Sequence, residues 1–267
     1  MTSFVLHKQG DLELGIFPRL TRADLLHAFT GRQGGTSELV PGGLNMALHV
    51  GDNKEDVLSN RRKVADVLGF EPSRITTCQQ VHGTKVSLVT EAMIGSGADD
   101  YAKSIQGVDA LVTQLRQVPL MLFFADCVPV MFFDPVTKTI ALAHAGWRGS
   151  VGDIALKTLH CMERNYKCQS ANVLVGIGPS IGSCCFEVDQ AVLDAAPGYV
   201  DCFRPTRPGH WQLDLWQVNK KQLLGAGVQE QNILCAECCT YEHKDKFFSY
   251  RAEDGKTGRM AAIIMLK

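Results

Sequence analysis

Charge of one sign is what this chain most plainly lacks. Its 27 Lys and Arg residues against 28 Asp and Glu leave a net charge of −1, so the positive footprint that nucleic-acid binding relies on is missing. Long apolar runs are missing too: nothing approaches the roughly 20 consecutive apolar residues that span a bilayer. The start, Met1-Thr2-Ser3-Phe4-Val5-Leu6-His7-Lys8, has no charged stretch followed by an apolar one, so no secretory signal is read there. Nor is there a Ser/Gly or Pro-rich linker, a block of like charge or an internal repeat. These absences predict a cytoplasmic protein with neither nucleic acid nor membrane as partner, and they leave its oligomeric state open. Hydrophobic residues make up 45% and charged residues 21% of the 267, enough for an ordinary core, so a single domain over residues 1–267 is expected. In a reducing compartment the ten cysteines are expected to be thiols, ligands or nucleophiles rather than disulfides.

Short runs rich in Val, Ile, Leu and Phe alternate with a few helical patterns. Two strands are predicted within 4–18 around Gln9-Gly10-Asp11, then a long loop over 29–51, rich in Gly, Asn and Thr. Lys54 to Leu68 has the apolar spacing of a helix, capped by Asp52 or Asn53. Strands are predicted at 74–80, 84–90, 109–114, 119–126, 128–133 and 139–144. A helix over Val151 to Tyr166 follows, with Ser150 and Asp153 resembling a capping box. A strand at 172–178, helices near 189–196 and 214–226, and strands at 231–236, 246–250 and 260–266 complete the chain. Grouped strands disfavour a doubly wound nucleotide fold and predict an α/β domain of mixed β-sheets covered by helices.

The segment from Phe123 to Gly149 concentrates the chemistry. Two apolar runs flank Asp134-Pro135-Val136-Thr137, a turn in which Pro presets φ and Asp caps from the first position. If the hairpin closes symmetrically on those four residues, Cys127 faces His144 with Cβ atoms roughly 5 Å apart. A thiolate and an imidazole at that spacing can share a metal, since Zn–S is about 2.3 Å and Zn–N about 2.0 Å. Register is decisive, because a slip of one residue turns one side chain away. His82, beside Gly83 in a predicted sharp turn, is the third candidate ligand; otherwise it is an ordinary core or surface histidine.

Two glycine-bearing turns are candidate anion sites. Ala145-Gly146-Trp147-Arg148-Gly149-Ser150 runs into a helix N-terminus, where free N–H groups favour an anion and Arg148 can add a bidentate contact. Gly176-Ile177-Gly178-Pro179-Ser180-Ile181-Gly182 again follows a strand; the competing reading is a tight turn. Gly146, Gly178 and Gly182 are the candidate phosphate contacts. Trp147 is read either as a stacking partner for a base or as packing.

Taken together, Gln80-Val81-His82-Gly83, Asp109-Ala110-Leu111-Val112-Thr113, Ala125-Asp126-Cys127-Val128-Pro129-Val130, His144 to Gly149, Gly178 to Gly182 and Phe248-Ser249-Tyr250-Arg251 resemble the laccase-domain family. Arg32 to Ser37, Leu44-Asn45 and His49 to Asp52 match as well, so the resemblance covers about residues 27–266. The family was first described as multicopper polyphenol oxidase and then as purine nucleoside phosphorylase, and it includes bacterial proteins described as peptidoglycan editing factors. The resemblance implies a layered α/β sandwich and a zinc ion on His82, Cys127 and His144, the trio reached above. It also implies phosphorolysis of adenosine, inosine, guanosine and methylthioadenosine, with deamination of adenosine. Purine nucleosides and phosphate are then the partners. Arg148, Arg251 and Arg32 become candidate anion contacts and Asn45 a candidate substrate hydrogen-bond partner. Asp126 adjoins Cys127, but strand alternation points it the other way.

Two other chemistries compete. A copper-dependent, laccase-like polyphenol oxidase needs several coppers on many histidines, and the eight histidines here include no His-x-His pair; Cu2+ is expected to bind only adventitiously in vitro. A hydrolase with Cys127 as nucleophile and His144 as base, acting on a cell-wall precursor, uses the same pairing. The Cys235-Ala236-Glu237-Cys238 motif lacks a thioredoxin-like setting and is read as incidental thiols, while Cys184-Cys185 is read as pocket lining.

Overall fold

Turn residues and capping side chains set where the elements begin and end. In the computed structural model, which describes residues 4–267, Gly10 at φ 62° reverses the chain between β1 (Val5–Gln9) and β2 (Leu12–Ile16). The first three residues of the start read above lie outside the described residues. Next come β3 (Leu25–Thr30), β4 (Gln33–Ser37) and helix α1 (Lys54–Leu68). Asn53 accepts the Glu55 amide to open α1, and Gly69 in the left-handed region closes it. The central strands are β5 (Val86–Leu88), β6 (Ala110–Thr113), β7 (Leu120–Phe124), β8 (Val128–Asp134) and β9 (Thr139–Ala145). Helices α2 (Trp147–Val151) and α3 (Ile154–Tyr166) lead to β10 (Leu174–Ile177), β11 (Glu187–Asp189) and α4 (Gln190–Asp194). Strands β12 (Phe203–Pro205) and β13 (His210–Leu213), helix α5 (Leu215–Gly225), β14 (Ile233–Cys235) and β15 (Met260–Leu266) finish the chain.

Among the described residues the strands form three sheets, with orders β1-β2-β3-β15-β7, β14-β10-β8-β9-β6-β5 and β11-β13-β12. The first is antiparallel throughout; the second is mixed, with β10–β14 and β5–β6 parallel. Period-two alternation divides the side chains between layers. Leu120, Leu122 and Phe124 of β7 meet Met131 and Phe133 of β8 between the two large sheets. Met121 and Phe123 point the other way, onto Val64 and Ala65 of α1. Val128, Val130 and Phe132 face Leu159 of α3 and Val218 of α5. Helix, sheet, sheet, helix is therefore the layer order, and strands buried on both faces explain the continuous apolar runs. The α/β layered sandwich expected from the sequence is the fold. No helix of the described residues is long and apolar enough to cross a membrane.

Several elements differ from the expectation. The stretch read as loop from residue 29 contains the end of β3 and all of β4. Residues 74–80 make only isolated bridges, Thr76 to Leu120 and Cys78 to Ile105. The strand predicted at 246–250 is a turn, and the third sheet, over 187–213, was not anticipated. Its strands are only three or four residues long, too short for alternation to register. The helix predicted from Val151 is two helices, broken at Gly152 and at Asp153 with φ 67°. Ser150 caps neither: its hydroxyl donates to the Ala145 carbonyl and accepts from Asn219.

Candidate metal centre

The hairpin register decides what Cys127 and His144 can do. Asp134 pairs with Thr139, so Pro129 rather than Cys127 lies opposite His144. Lys138 at φ 54° lengthens the turn, and the pairing moves by two residues from the symmetric expectation. A shift of two preserves the face where a shift of one reverses it, so Cys127 becomes a diagonal neighbour on the same side. The chain leaves β7 and enters β8 through Ala125-Asp126-Cys127, with Asp126 in the left-handed region at φ 81°. That bend at the junction of the two large sheets delivers the thiol to His144.

His82 arrives from a third segment. Its own φ is 57°, and the turn carrying it is held by one buried carboxylate. Asp109 accepts the amides of His82 at 2.9 Å, Gly83 at 2.7 Å and Val81 at 3.3 Å. The Gln80 side-chain amide pairs in both directions with the Phe123 backbone, at 2.8 and 2.9 Å, and ties the same turn to β7. Asp109 also receives His144 Nδ1 at 2.9 Å, which leaves Nε2 free to face the other donors. The ligand atoms of His82, Cys127 and His144 all lie within 4.8 Å of one another. Gly146 makes room for them, since a Cβ there would meet Cys127 Sγ and His82 Cδ2 at 3.1 Å each.

Electrostatics follow from this packing. Burial opposes the Cys127 thiolate, but the charges and hydrogen bonds of His144 and His82 outweigh it and bring the thiol down to about 6. Burial likewise opposes a charged His144; the Cys127 and Asp109 charges and hydrogen bonds raise the ring to about 9. Asp109 is held below its usual range by His144 and the turn amides, against its burial. The result is a thiol drawn toward thiolate between two histidine rings, one of them oriented by a carboxylate.

This cluster lies in a cleft of about 430 Å³. Arg148 and Arg251 line it, with guanidinium groups 4.3 Å from the Trp147 ring and 5.3 Å from the Phe186 ring. Asn45, Arg32, Gly178 and Gly182 are not among the residues that line it. Asn45 is fully buried, and its side chain is consumed by Ala47, Asp52 and the Arg259 amide. Arg32 pairs with Glu253 at 2.9 Å and donates to the Lys244 carbonyl, lining a different surface hollow. Gly178 is a glycine because a Cβ would strike the Phe29 ring at 2.2 Å. The amides of Gly178, Ser180, Ile181 and Gly182 already donate to Pro129, Cys238, Asp126 and Cys239, so that turn is not an anion nest.

Asp126 does point away from the cluster, accepting Thr240 Oγ1 at 2.6 Å and the Arg251 amide at 2.7 Å. Sequence reasoning missed Asp109, His49, Gln80, Tyr250 and Arg259. Arg259 lines the cleft, braced by the carbonyls of Thr257 and Gly258. His49 lines it as a neutral ring, pushed down to about 4 by burial and then by Arg259 and Arg61. Several of these stand in the resembling motifs, but only the fold shows what their side chains meet.

Known proteins share this architecture. Residues 26–267 match the family model described as multi-copper polyphenol oxidoreductase laccase. A Geobacillus stearothermophilus protein named purine nucleoside phosphorylase YlmD is 42% identical over 247 residues, 91% of this chain and 90% of its own. A Bacillus subtilis protein of the same name is 34% identical, over 91% of this chain and 89% of its own. The crystal structure of YlmD from Geobacillus stearothermophilus superposes with a TM-score of 0.93 at 39% identity, covering 98% of each chain. With a matching family model over most of its length and relatives of this identity, the chain belongs to the multi-copper polyphenol oxidoreductase laccase family.

Proposed function

We propose that the chain is a zinc-dependent purine nucleoside phosphorylase that also deaminates adenosine. The observation that carries this reading is the convergence of the His82, Cys127 and His144 donors with Arg148, Arg251 and Arg259 on one cleft. The donor set fits zinc: two imidazoles and one thiol already drawn toward thiolate, with Asp109 fixing the tautomer of His144. When bound by three protein ligands, zinc supplies a Lewis-acid position open to water or substrate.

In phosphorolysis a phosphate oxygen bonds to ribose C1′ while the bond to purine N9 breaks. The electron pair leaves with the base, which takes up a proton. Arg148, Arg251 and Arg259 orient the phosphate and balance its charge through that change. Phe123, Trp147, Phe186 and Tyr250 offer apolar faces against which the base packs. In deamination a water oxygen replaces the C6 amino group and ammonia leaves. The names of the relatives support phosphorolysis, and the motif resemblance extends it to adenosine, inosine, guanosine and methylthioadenosine.

One observation favours a second reading. Asp109, His144 and Cys127 form the carboxylate–imidazole–thiolate chain of a cysteine nucleophile, as a cell-wall-precursor hydrolase would use. The second imidazole, His82, supports the metal reading instead, because a thiol nucleophile has no use for it. A multicopper oxidase is less well supported: among the described residues only one cluster combines histidine with cysteine. The test is metal analysis of protein purified without added metal, with adenosine assayed with and without phosphate. About one zinc per chain at this centre, phosphate-dependent release of adenine and loss of both in His82→Ala are expected. A metal-free protein of full activity overturns the proposal.

A further inference from the structure

We propose that Cys184, Cys185 and Cys239 form a second metal site, built for a thiophilic d10 cation such as Zn2+ or Cu+. Their sulfur atoms lie within 4.8 Å of one another, and all three thiols are free. The group shares no residue with the His82–Cys127–His144 cluster. Sulfurs bonded to one ion at about 2.3 Å stand about 4 Å apart, so closure requires only a small inward movement. Cys184 is exposed and Cys185 half-buried, leaving them free to make it, while Cys239 is buried and fixed.

The surrounding backbone is arranged for such a clamp. Gly182 donates its amide to Cys239 Sγ at 3.2 Å, and a Cβ on Gly182 would stand 3.2 Å from Cys184 Sγ and 3.3 Å from Cys239 Cβ. Ser180 bridges to Cys239, with its amide on the Cys238 carbonyl and its carbonyl receiving the Thr240 amide. Two chain segments more than fifty residues apart in sequence thus present sulfur to one point. Soft sulfur donors select zinc or cuprous copper over harder ions.

The consequence reaches the cleft, because the same turn places Ile181 and Phe186 in its wall and Arg251 stacks on Phe186. Metal at the three thiols fastens that wall to the 239 segment.

The test is titration of reduced, chelator-stripped protein with Zn2+ and, in a separate anaerobic arm, with Cu+, against a chromogenic competitor. Wild type, Cys184→Ser/Cys185→Ser and His82→Ala are compared, and alkylation is mapped by mass spectrometry. The double serine variant changes only exposed and half-buried thiols, so its fold is retained. It should bind one equivalent fewer than wild type while keeping the equivalent that His82→Ala loses. Metal should also shield Cys184 and Cys185 from alkylation in His82→Ala. The arm giving tighter retention names the ion. Equal uptake by wild type and the double serine variant, or alkylation indifferent to both metals, overturns the site. Whether His82→Ala loses its equivalent bears only on the first centre, so the two proposals stay separable.

Discussion

Asp109 Oδ1 stands 2.9 Å from both His144 Nδ1 and the His82 amide. One oxygen atom therefore sets the tautomer of one imidazole and the position of the other. Asp109→Asn leaves an oxygen that can accept but removes the charge and places an N–H₂ among donors. Metal affinity is expected to fall about 10–100-fold, measured by chelator competition, with the far-ultraviolet circular dichroism unchanged. Undiminished affinity would show that the carboxylate has no hold on the centre.

Gly146→Ala tests the space between the ligands. The added methyl meets Cys127 Sγ and His82 Cδ2 at 3.1 Å, and overpacking of this kind costs about 1–3 kcal/mol. Since those side chains can move only by leaving the cluster, the cost should emerge as weaker metal retention in elemental analysis. Full occupancy in the variant counts against a metal seated among these donors.

Arg251 and Arg32 separate two kinds of arginine. Losing a charged hydrogen bond to phosphate costs about 1.5–3 kcal/mol, so Arg251→Ala should raise KM for phosphate about 10–100-fold. Arg32 is engaged with Glu253 and the Lys244 carbonyl; Arg32→Ala should lower Tm by a few degrees while KM for phosphate holds. The reverse pattern would return Arg32 to the substrate site.

Acid sensitivity should trace in part to His27. It is buried, and its Nε2 accepts the Phe17 amide at 3.0 Å, so that nitrogen must stay unprotonated. Burial holds its pKa down to about 4, whereas the unfolded chain takes a proton near 6.5. Between those values the unfolded state binds more protons. The stabilisation is complete above pH ~6.5 and is lost as pH falls toward 4, at no more than about 1.4 kcal/mol per unit from this group. In denaturant melts across that range, His27→Gln should show a shallower decline than wild type. Parallel curves would remove His27 from the account.

The sequence alone determined the ingredients and their periodicities. Continuous apolar runs marked the central strands, which are buried on both faces, and Asn53, one of the two cap candidates, opens α1, because these signals act over a few residues. The motif around His144 made the trio with His82 and Cys127 visible before any coordinates. What sequence could not decide depends on contacts between distant segments. One left-handed residue, Lys138, moved the hairpin by two positions, and parity rather than direct opposition kept Cys127 beside His144. Asp109 acquires its role only where β6 meets the 81–83 turn. Asn45, polar and beside a matching motif, proved to be spent on holding Arg259, since a side chain's hydrogen-bond partners are settled by packing. Of the three clustered thiols, Cys239 stands more than fifty residues from the adjacent Cys184 and Cys185, and only tertiary structure could bring it to them.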